Sequence, residues 1–239
     1  DRFVGILYRN IIGTASNNSV HSMYDSDGYG DGPETFGIMV YGYSNVTVEN
    51  NVVKHFSRGG IGISGNFGAG DPVATVRNNI IYGYDETPLT GWWAENGIQM
   101  GYGASGSIIG NEVYNCYVNN PNWAATGIMI VDTYNVAVDG NYLEGNEQAI
   151  GVTDFPGSLY GPPWDVYEIE NITVTNNTLE SNEWGISIVN GADNIILQYN
   201  DILNTSGDAI DVFSYKYWYP SYDIPAPTNV EIHYNNIVN

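Results

Sequence analysis

Two aspartates take the same place after two copies of a recurring phrase, which is a small residue, Ile, any residue and an aliphatic residue. Asp132 comes five residues after Gly127, and Asp154 comes five residues after Ala149 of the next copy. Two neighbouring carboxyl groups are what a glycosidase uses as its general acid and its base or nucleophile. Both residues are therefore catalytic candidates. The alternative is that each is a solvated turn residue, because Asp favours turns.

Two other acidic positions follow the same phrase. Glu147 lies two residues before the small residue of its copy, and Glu183 has the same place in the next copy. Asp211 lies two residues after the small residue of the last copy, close to Asp208. We treat Glu147 and Asp211 as further catalytic candidates, with a solvent-facing corner as the alternative for Glu147.

Aromatic residues are concentrated in the long segments that flank the phrase. Exposed Trp and Tyr rings offer flat apolar faces with a polar edge, which suits stacking on sugar rings. The alternative is that some of these rings pack inward and anchor their segments. Together with two positions on or just after the phrase, they give the predicted substrate-binding residues Trp92, Trp93, Gln99, Tyr102, Trp123 and Trp164.

A Gly-rich run over 25–34 concentrates carboxylates at short spacing, a pattern similar to calcium-binding loops. It departs from the EF-hand pattern because Tyr29 and Phe36 stand where that loop has its fifth and twelfth ligands. The sequence predicts Ca²⁺ here, with an ordinary acidic loop as the alternative. The predicted ligands are Asp25, Asp27, Asp31 and Glu34.

Basic residues cluster at one place before the second copy of the phrase, which begins at Gly60. Lys54, His55 and Arg58 are close in sequence and could supply the base and the cations that β-elimination from a polyuronate requires. This cluster supports polysaccharide lyase activity as an alternative function. The competing interpretation is a surface patch.

A second repeated phrase, of nine residues, alternates with the first along the chain. Its clearest copies are 45–53 and 171–179, each with an alternating strand, an Asn turn and another strand. The uninterrupted period is about 22 to 24 residues, which is typical of solenoids. Looser copies end their turns at Asn10, Asn79, Asn111, Asn141, Asn200 and Asn236.

The alternation predicts which residues face the core. Val46 and Val48, and likewise Ile172 and Val174, should point inward. A single repeat cannot bury its apolar face, so we predict stacked coils with parallel sheets and a ladder of turn asparagines. The expected fold is all-β, a right-handed parallel β-helix of about eight coils with an Asn-ladder corner.

Long insertions fall on the two corners that flank the Gly-Ile-x-Ile strand, so loops should rise on both sides of one sheet and leave a groove. The residue two places after the small residue of each phrase should face this groove. Gln99 and Asp211 have this place in their copies. Loops of this length in a regular solenoid are commonly functional. The insertions are 13–36, 82–96 and 115–126 before the strand, and 65–72, 153–170 and 213–228 after it.

The two phrases resemble the right-handed parallel β-helix superfamily, which includes pectate lyases, polygalacturonases, alginate epimerases and NosD-like surface proteins. The resemblance covers essentially the whole chain. It implies a polysaccharide cleft over the sheet of the Gly-Ile-x-Ile strands. The acidic coils rich in Tyr and Asn also resemble methanogen surface proteins of the disaggregatase type.

Composition limits the partners and the location. The formal charge of −21 with six Lys and Arg argues against nucleic acid, and no apolar run suits membrane insertion. We expect one domain over 1–239, cut from a longer chain, with open coil ends through which an oligomer could form. Five glycosylation sequons favour a secreted or cell-surface protein.

The sequence therefore predicts a polysaccharide-degrading enzyme, foremost a glycoside hydrolase with paired carboxylates in the groove. A non-catalytic glycan-binding or structural module of the cell surface is the alternative from another class, because fold does not imply function. A polysaccharide lyase is the second alternative.

Overall fold

The computed structural model describes residues 3–23, 35–65, 70–83, 95–118, 125–155 and 168–239. Within these ranges the chain forms twenty-four strands and one short 3₁₀-helix, Tyr215–Tyr217. The strands form three parallel sheets of eight, and the chain visits the sheets in strict rotation. Each set of three strands is one coil, so the predicted eight-coil solenoid is confirmed. No helix in these ranges is long and apolar enough to cross a membrane.

The first sheet carries the Gly-Ile-x-Ile strands, and we call it the groove sheet. Its strands are β1 (Phe3–Arg9), β4 (Thr35–Tyr41), β7 (Gly59–Ser64), β10 (Asn96–Gly101), β13 (Thr126–Val131), β16 (Gln148–Thr153), β19 (Trp184–Val189) and β22 (Ile210–Phe213). The second sheet contains β2 (Ile12–Ser16), β5 (Asn45–Glu49), β8 (Val73–Arg77), β11 (Ser105–Ile109), β14 (Tyr134–Asp139), β17 (Glu170–Thr175), β20 (Asp193–Gln198) and β23 (Thr228–His233). The third contains β3 (Ser19–Met23), β6 (Val52–Phe56), β9 (Ile80–Tyr82), β12 (Glu112–Tyr114), β15 (Tyr142–Glu144), β18 (Thr178–Glu180), β21 (Asp201–Leu203) and β24 (Asn236–Val238).

The core is a set of aliphatic stacks that run along the solenoid. The isoleucine of the groove-sheet phrase pairs in register from one coil to the next, as Ile98 with Ile128 does. Val46, Val48, Ile172 and Val174 are buried as predicted. Burial of these side chains is the main force that holds short coils together, because no coil can bury its own face.

A ladder of asparagines lines the corner between the second and third sheets. The Oδ1 atom of Asn79 accepts hydrogen bonds from the backbone N–H of Asn51 (3.0 Å) and from its Nδ2 (2.9 Å). The Nδ2 of Asn79 in turn donates to the carbonyl of Val48 in the preceding coil (2.9 Å). The same pattern joins Asn18, Asn51, Asn79, Asn111, Asn141, Asn177, Asn200 and Asn235.

Three details of the sequence interpretation were wrong. The last rung of the ladder is Asn235 and not Asn236, which lies in strand β24. Asn10 belongs to a different corner, where its Oδ1 accepts from the backbone N–H of Tyr43. The insertion placed at 13–36 contains most of β2 and all of β3, because the first coil lacks the clear nine-residue phrase.

Candidate functional site

The outer face of the groove sheet presents three rows of side chains over coils five to eight. Both the small residue and the Ile of each phrase face the core: a Cβ on Gly97 would lie 2.4 Å from Val113 Cγ1. The outward positions therefore precede the small residue by one, or follow it by two and by four. The rows are Thr126, Gln148, Trp184 and Asp208; Met129, Gly151, Ser187 and Asp211; and Thr153, Val189 and Phe213.

These rows line an open pocket of about 260 Å³ on the outside of the sheet. Gly151 and Ser187 occupy the middle row in register with Asp211, and their small size leaves room above the strands. Aromatic, neutral polar and acidic side chains meet in one concave site, a composition typical of ligand-binding pockets. The lining residues are Thr126, Met129, Gln148, Thr153, Phe155, Trp184, Ser187, Val189, Asp208, Asp211, Phe213 and Tyr215.

The two carboxyl groups of the pocket have different environments. Asp211 is half-buried, and Asp208, three residues earlier, is exposed. Burial, and then the charge of Asp208, raises the pKa of the Asp211 carboxyl. A carboxyl whose pKa is raised keeps the proton that a general acid donates, and Asp211 is therefore suited to that role.

An aromatic cluster adjoins the pocket in the segment that follows β22 of the last coil. Trp218 packs edge-on against Phe213 at 5.6 Å between ring centroids and tilts against Tyr215 at 5.9 Å. Trp218 still exposes 58% of its surface, and the neighbouring Tyr217 exposes 85%. The rings are therefore held by their neighbours while they present a broad aromatic face beside the pocket.

Asp132 and Asp154 lie at the corner between the groove sheet and the second sheet. They share a register on coils five and six, as predicted, and Asn190 takes the same position on coil seven. The Asp132 carboxyl accepts a hydrogen bond from the backbone N–H of Phe155 (2.7 Å), and that of Asp154 accepts one from Gly191. Both carboxyls are buried and neither lines the pocket.

Burial is the main cause of the electrostatics at this corner. It raises the pKa of Asp132 to about 8, with a smaller upward contribution from the charge of Asp154. It also raises the pKa of Asp154 to about 6. Desolvation, and not repulsion between the two carboxyls, is the larger effect in both groups. Their catalytic role stays a prediction. Each carboxyl accepts a backbone hydrogen bond, while Asp132 Oδ2 is buried without a hydrogen-bond partner in the described part of the chain.

Glu147 joins the backbone of the two described ranges that end at Val118 and begin at Ala125. Its Oε2 accepts hydrogen bonds from the backbone N–H of Ala125 (2.8 Å) and of Val118 (3.2 Å), the two residues that border the segment 119–124. The side chain is buried, and burial raises its pKa. The solvent-facing alternative was therefore wrong for Glu147, and these contacts give it a structural role at Val118 and Ala125. Its catalytic role remains a prediction.

The predicted substrate residues Gln99 and Tyr102 lie on coil four, outside the pocket. Gln99 is buried and its Oε1 accepts from Asn96 Nδ2 at 3.1 Å. Tyr102 is half-buried at the same corner position as Asp132, and burial raises its pKa.

Several predicted residues lie outside the described ranges. For the described part of the chain, no group of three His, Cys, Asp or Glu side chains is placed to hold a metal ion. The calcium site therefore stays a prediction. The residues outside the described ranges are Trp92, Trp93, Trp123, Trp164, Asp25, Asp27, Asp31 and Glu34.

The basic cluster proposed for a lyase does not assemble in the groove. Lys54 and His55 belong to β6 of the third sheet, and Lys54 Nζ lies 4.9 Å from the centre of the Tyr82 ring. Arg58 precedes the groove-sheet strand β7. The chain turns a corner between them, so Lys54 faces away from the groove.

The sequence interpretation found Asp211 but missed Trp184, Gln148 and Phe213. All three lie at the outward positions that flank the small residue, one before it or four after it. The signal was present in the sequence, because Trp184 directly precedes the small residue Gly185.

Comparison with known proteins agrees with this architecture. The family model for the right-handed beta helix region matches residues 4–160, and the chain belongs to this family. Among solved structures, the chain is similar to the A-module of mannuronan C-5 epimerase AlgE4 from Azotobacter vinelandii, with 11% identity and a TM-score of 0.34. The match covers 98% of this chain and 55% of that module. No curated protein matches the chain.

Proposed function

We propose that this protein binds and hydrolyses a polysaccharide in the pocket over coils five to eight. The observation that carries the proposal is the half-buried Asp211, whose pKa is raised, beside the exposed Asp208 and in one pocket with Trp184. A protonated and an ionised carboxyl on one face of a cleft are the two groups that glycoside hydrolysis requires.

The two carboxyls take different roles in this proposal. Asp211, whose carboxyl keeps its proton to higher pH, is the general acid that protonates the glycosidic oxygen. Asp208, which is exposed to solvent, is the base or nucleophile. Cleavage of the sugar C–O bond then yields a new reducing end and a free hydroxyl, with water as the co-reactant.

The other lining residues fit a saccharide. Trp184 offers an indole face for a sugar ring, and Gln148, Thr153 and Ser187 supply neutral hydrogen-bonding groups. Secretion or display at the cell surface forms part of the proposal, because a polymeric substrate has to be reached outside the cell. A calcium ion at 25–34 also remains a proposal.

A non-catalytic glycan-binding module is the second candidate. The exposed rings of Tyr217 and Trp218 favour it, because they extend the aromatic surface beyond the carboxyl pair. Such a surface can hold a chain without cleaving it.

Product analysis separates these candidates. The protein is incubated with neutral, amino and acidic polysaccharides, with and without calcium, and both reducing ends and unsaturated uronates are measured. New reducing ends without unsaturation support hydrolysis, whereas unsaturated ends would indicate a lyase. Binding without cleavage would establish the recognition module. The absence of both cleavage and binding would contradict the proposal.

A further inference from the structure

Basic side chains are distributed very unevenly along this chain. Between Arg77 and Lys216 lie 138 residues that include no Lys, Arg or His, while they include 18 Asp and Glu. This holds for the whole amino-acid sequence of that stretch, including its long insertions. All side chains that the insertions 82–96, 115–126 and 153–170 can bring to the groove are therefore neutral or acidic.

The pocket lies wholly inside this stretch. Its twelve lining residues fall between Thr126 and Tyr215, and its two ionisable carboxyls are Asp208 and Asp211. The basic residue that follows, Lys216, donates its Nζ hydrogen to the carbonyl oxygen of Tyr222. It does not line the pocket.

This arrangement restricts the charge of a bound sugar. A carboxylated sugar seated next to Trp184 and Asp211 brings a further carboxylate into a site that already has two carboxyl groups and no lining cation. Repulsion between like charges at contact distance costs about tenfold or more in affinity when the groups are partly shielded from water. A neutral sugar avoids this cost, and an amine-bearing sugar gains attraction.

We infer that the pocket selects polysaccharides whose sugar at this position is neutral or bears an amine, and that it excludes uronates. The inference rests on the proposed function, because it assumes that the pocket holds a sugar. It assigns selectivity to the charge of the pocket itself, and it needs no residue beyond those on coils five to eight.

Calorimetric titration of the whole chain with tetrasaccharides of matched length tests the inference. The probes are galactotetraose, cellotetraose and mannotetraose as neutral sugars, chitosan tetramer as the amine, and tetragalacturonate, all in EDTA at low and high ionic strength. We expect at least one neutral or amine probe to bind about tenfold more tightly than tetragalacturonate. This difference in affinity should become smaller in high salt, because salt screens charges.

A paired substitution locates the effect. Ser187→Lys places a cation in the middle row of the pocket, and Thr173→Lys places the same charge on the outer face of the second sheet. Ser187→Lys should raise affinity for tetragalacturonate about tenfold and lower affinity for chitosan tetramer, while Thr173→Lys should change neither.

Two results overturn the inference while leaving the proposed function intact. One is tightest binding of tetragalacturonate by the unaltered protein in EDTA. The other is an equal response of the two lysine variants, which would assign selectivity to net charge. Failure of every tetrasaccharide to bind instead contradicts the proposed function on which the inference rests.

Discussion

Asp132 and Asp154 occupy the same corner position on successive coils, and each carboxyl accepts a backbone N–H from the coil that follows it. Asn190 continues the pattern, since its Oδ1 accepts from the backbone N–H of Tyr215 at 2.9 Å. This corner is thus a short polar ladder in which two of the rungs are acids. Its hydrogen bonds resemble those of the asparagine ladder at the next corner.

Asparagine should replace aspartate at this corner with little loss of stability. Asp132→Asn keeps the oxygen that accepts from Phe155, whereas Asp132→Ala leaves that partly buried N–H unpaired. We expect Asp132→Ala to lower the free energy of unfolding by about 1–3 kcal/mol, and Asp132→Asn by much less. Urea unfolding measures both. A larger loss for Asp132→Asn than for Asp132→Ala would show that the carboxyl is not a ladder rung.

The buried acids should make stability depend on pH. Their folded-state pKa values, about 8 for Asp132 and about 6 for Asp154, lie above the ordinary value of 3.8. The folded protein thus holds protons that the unfolded chain has released, so stability falls as pH rises. Their contribution to the free energy of unfolding is complete below about pH 4. The contribution of Asp154 decreases as the pH rises to about 6, and that of Asp132 as it rises to about 8, by up to about 1.4 kcal/mol per pH unit per group.

The Asp132→Asn variant isolates this effect. In this variant the free energy of unfolding should no longer decrease between about pH 6 and pH 8. Asp201→Asn, which alters an exposed carboxyl, should keep that decrease. Urea unfolding across this range is the measurement. Parallel profiles for the unaltered protein and Asp132→Asn would mean that Asp132 is ionised in the folded protein.

Glu147 should hold the backbone of Val118 and Ala125 in place. Glu147→Ala removes the acceptor for the N–H groups of Val118 and Ala125, so we expect a loss of about 2–4 kcal/mol and faster proteolysis within 119–124. Glu183→Ala, at the same register on the next coil but exposed, is the control. Melting and limited proteolysis followed by mass spectrometry are the measurements. Equal behaviour of the two variants would rule out the anchoring role.

The aromatic residues of the site should act on different lengths of saccharide. Trp184 lies inside the pocket, so Trp184→Ala should weaken binding of short and long oligosaccharides alike by about tenfold or more. Trp218 lies beyond it, so Trp218→Ala should weaken mainly the long ones. Calorimetric titration with a length series measures this, and Tyr199→Ala, an exposed stacked ring outside the groove, is the control. The same loss for Trp218→Ala at every length would contradict the extended surface.

The architecture could be predicted because each coil repeats the same chemistry. Alternating valines and a turn asparagine, as in Val46, Val48 and Asn51, specify an inward face and a corner, and stacking follows from burial. The first coil was misjudged where this pattern fades. There, β2 has Gly13 and Ala15 at the inward positions in place of larger aliphatic residues.

The site could be predicted only in part. Simple alternation suggests that Gly185 faces outward if Ile186 faces inward, yet both positions face the core, and Trp184 therefore points into the groove. Burial at corners depends on neighbouring coils. The places of Asp132 and Glu147 in the repeat therefore could not distinguish a catalytic carboxyl from a structural one.

The most direct test compares four aspartates in one assay. Cleavage of a polysaccharide accepted by the unaltered protein is measured as reducing-end release for Asp208→Asn, Asp211→Asn, Asp132→Asn and Asp154→Asn, with binding of each variant measured in parallel. The account predicts a loss of about a thousandfold or more in rate for the first two, with binding retained, and nearly unchanged rates for the corner pair. Loss of cleavage in Asp132→Asn and Asp154→Asn, with full activity in Asp208→Asn and Asp211→Asn, would contradict it.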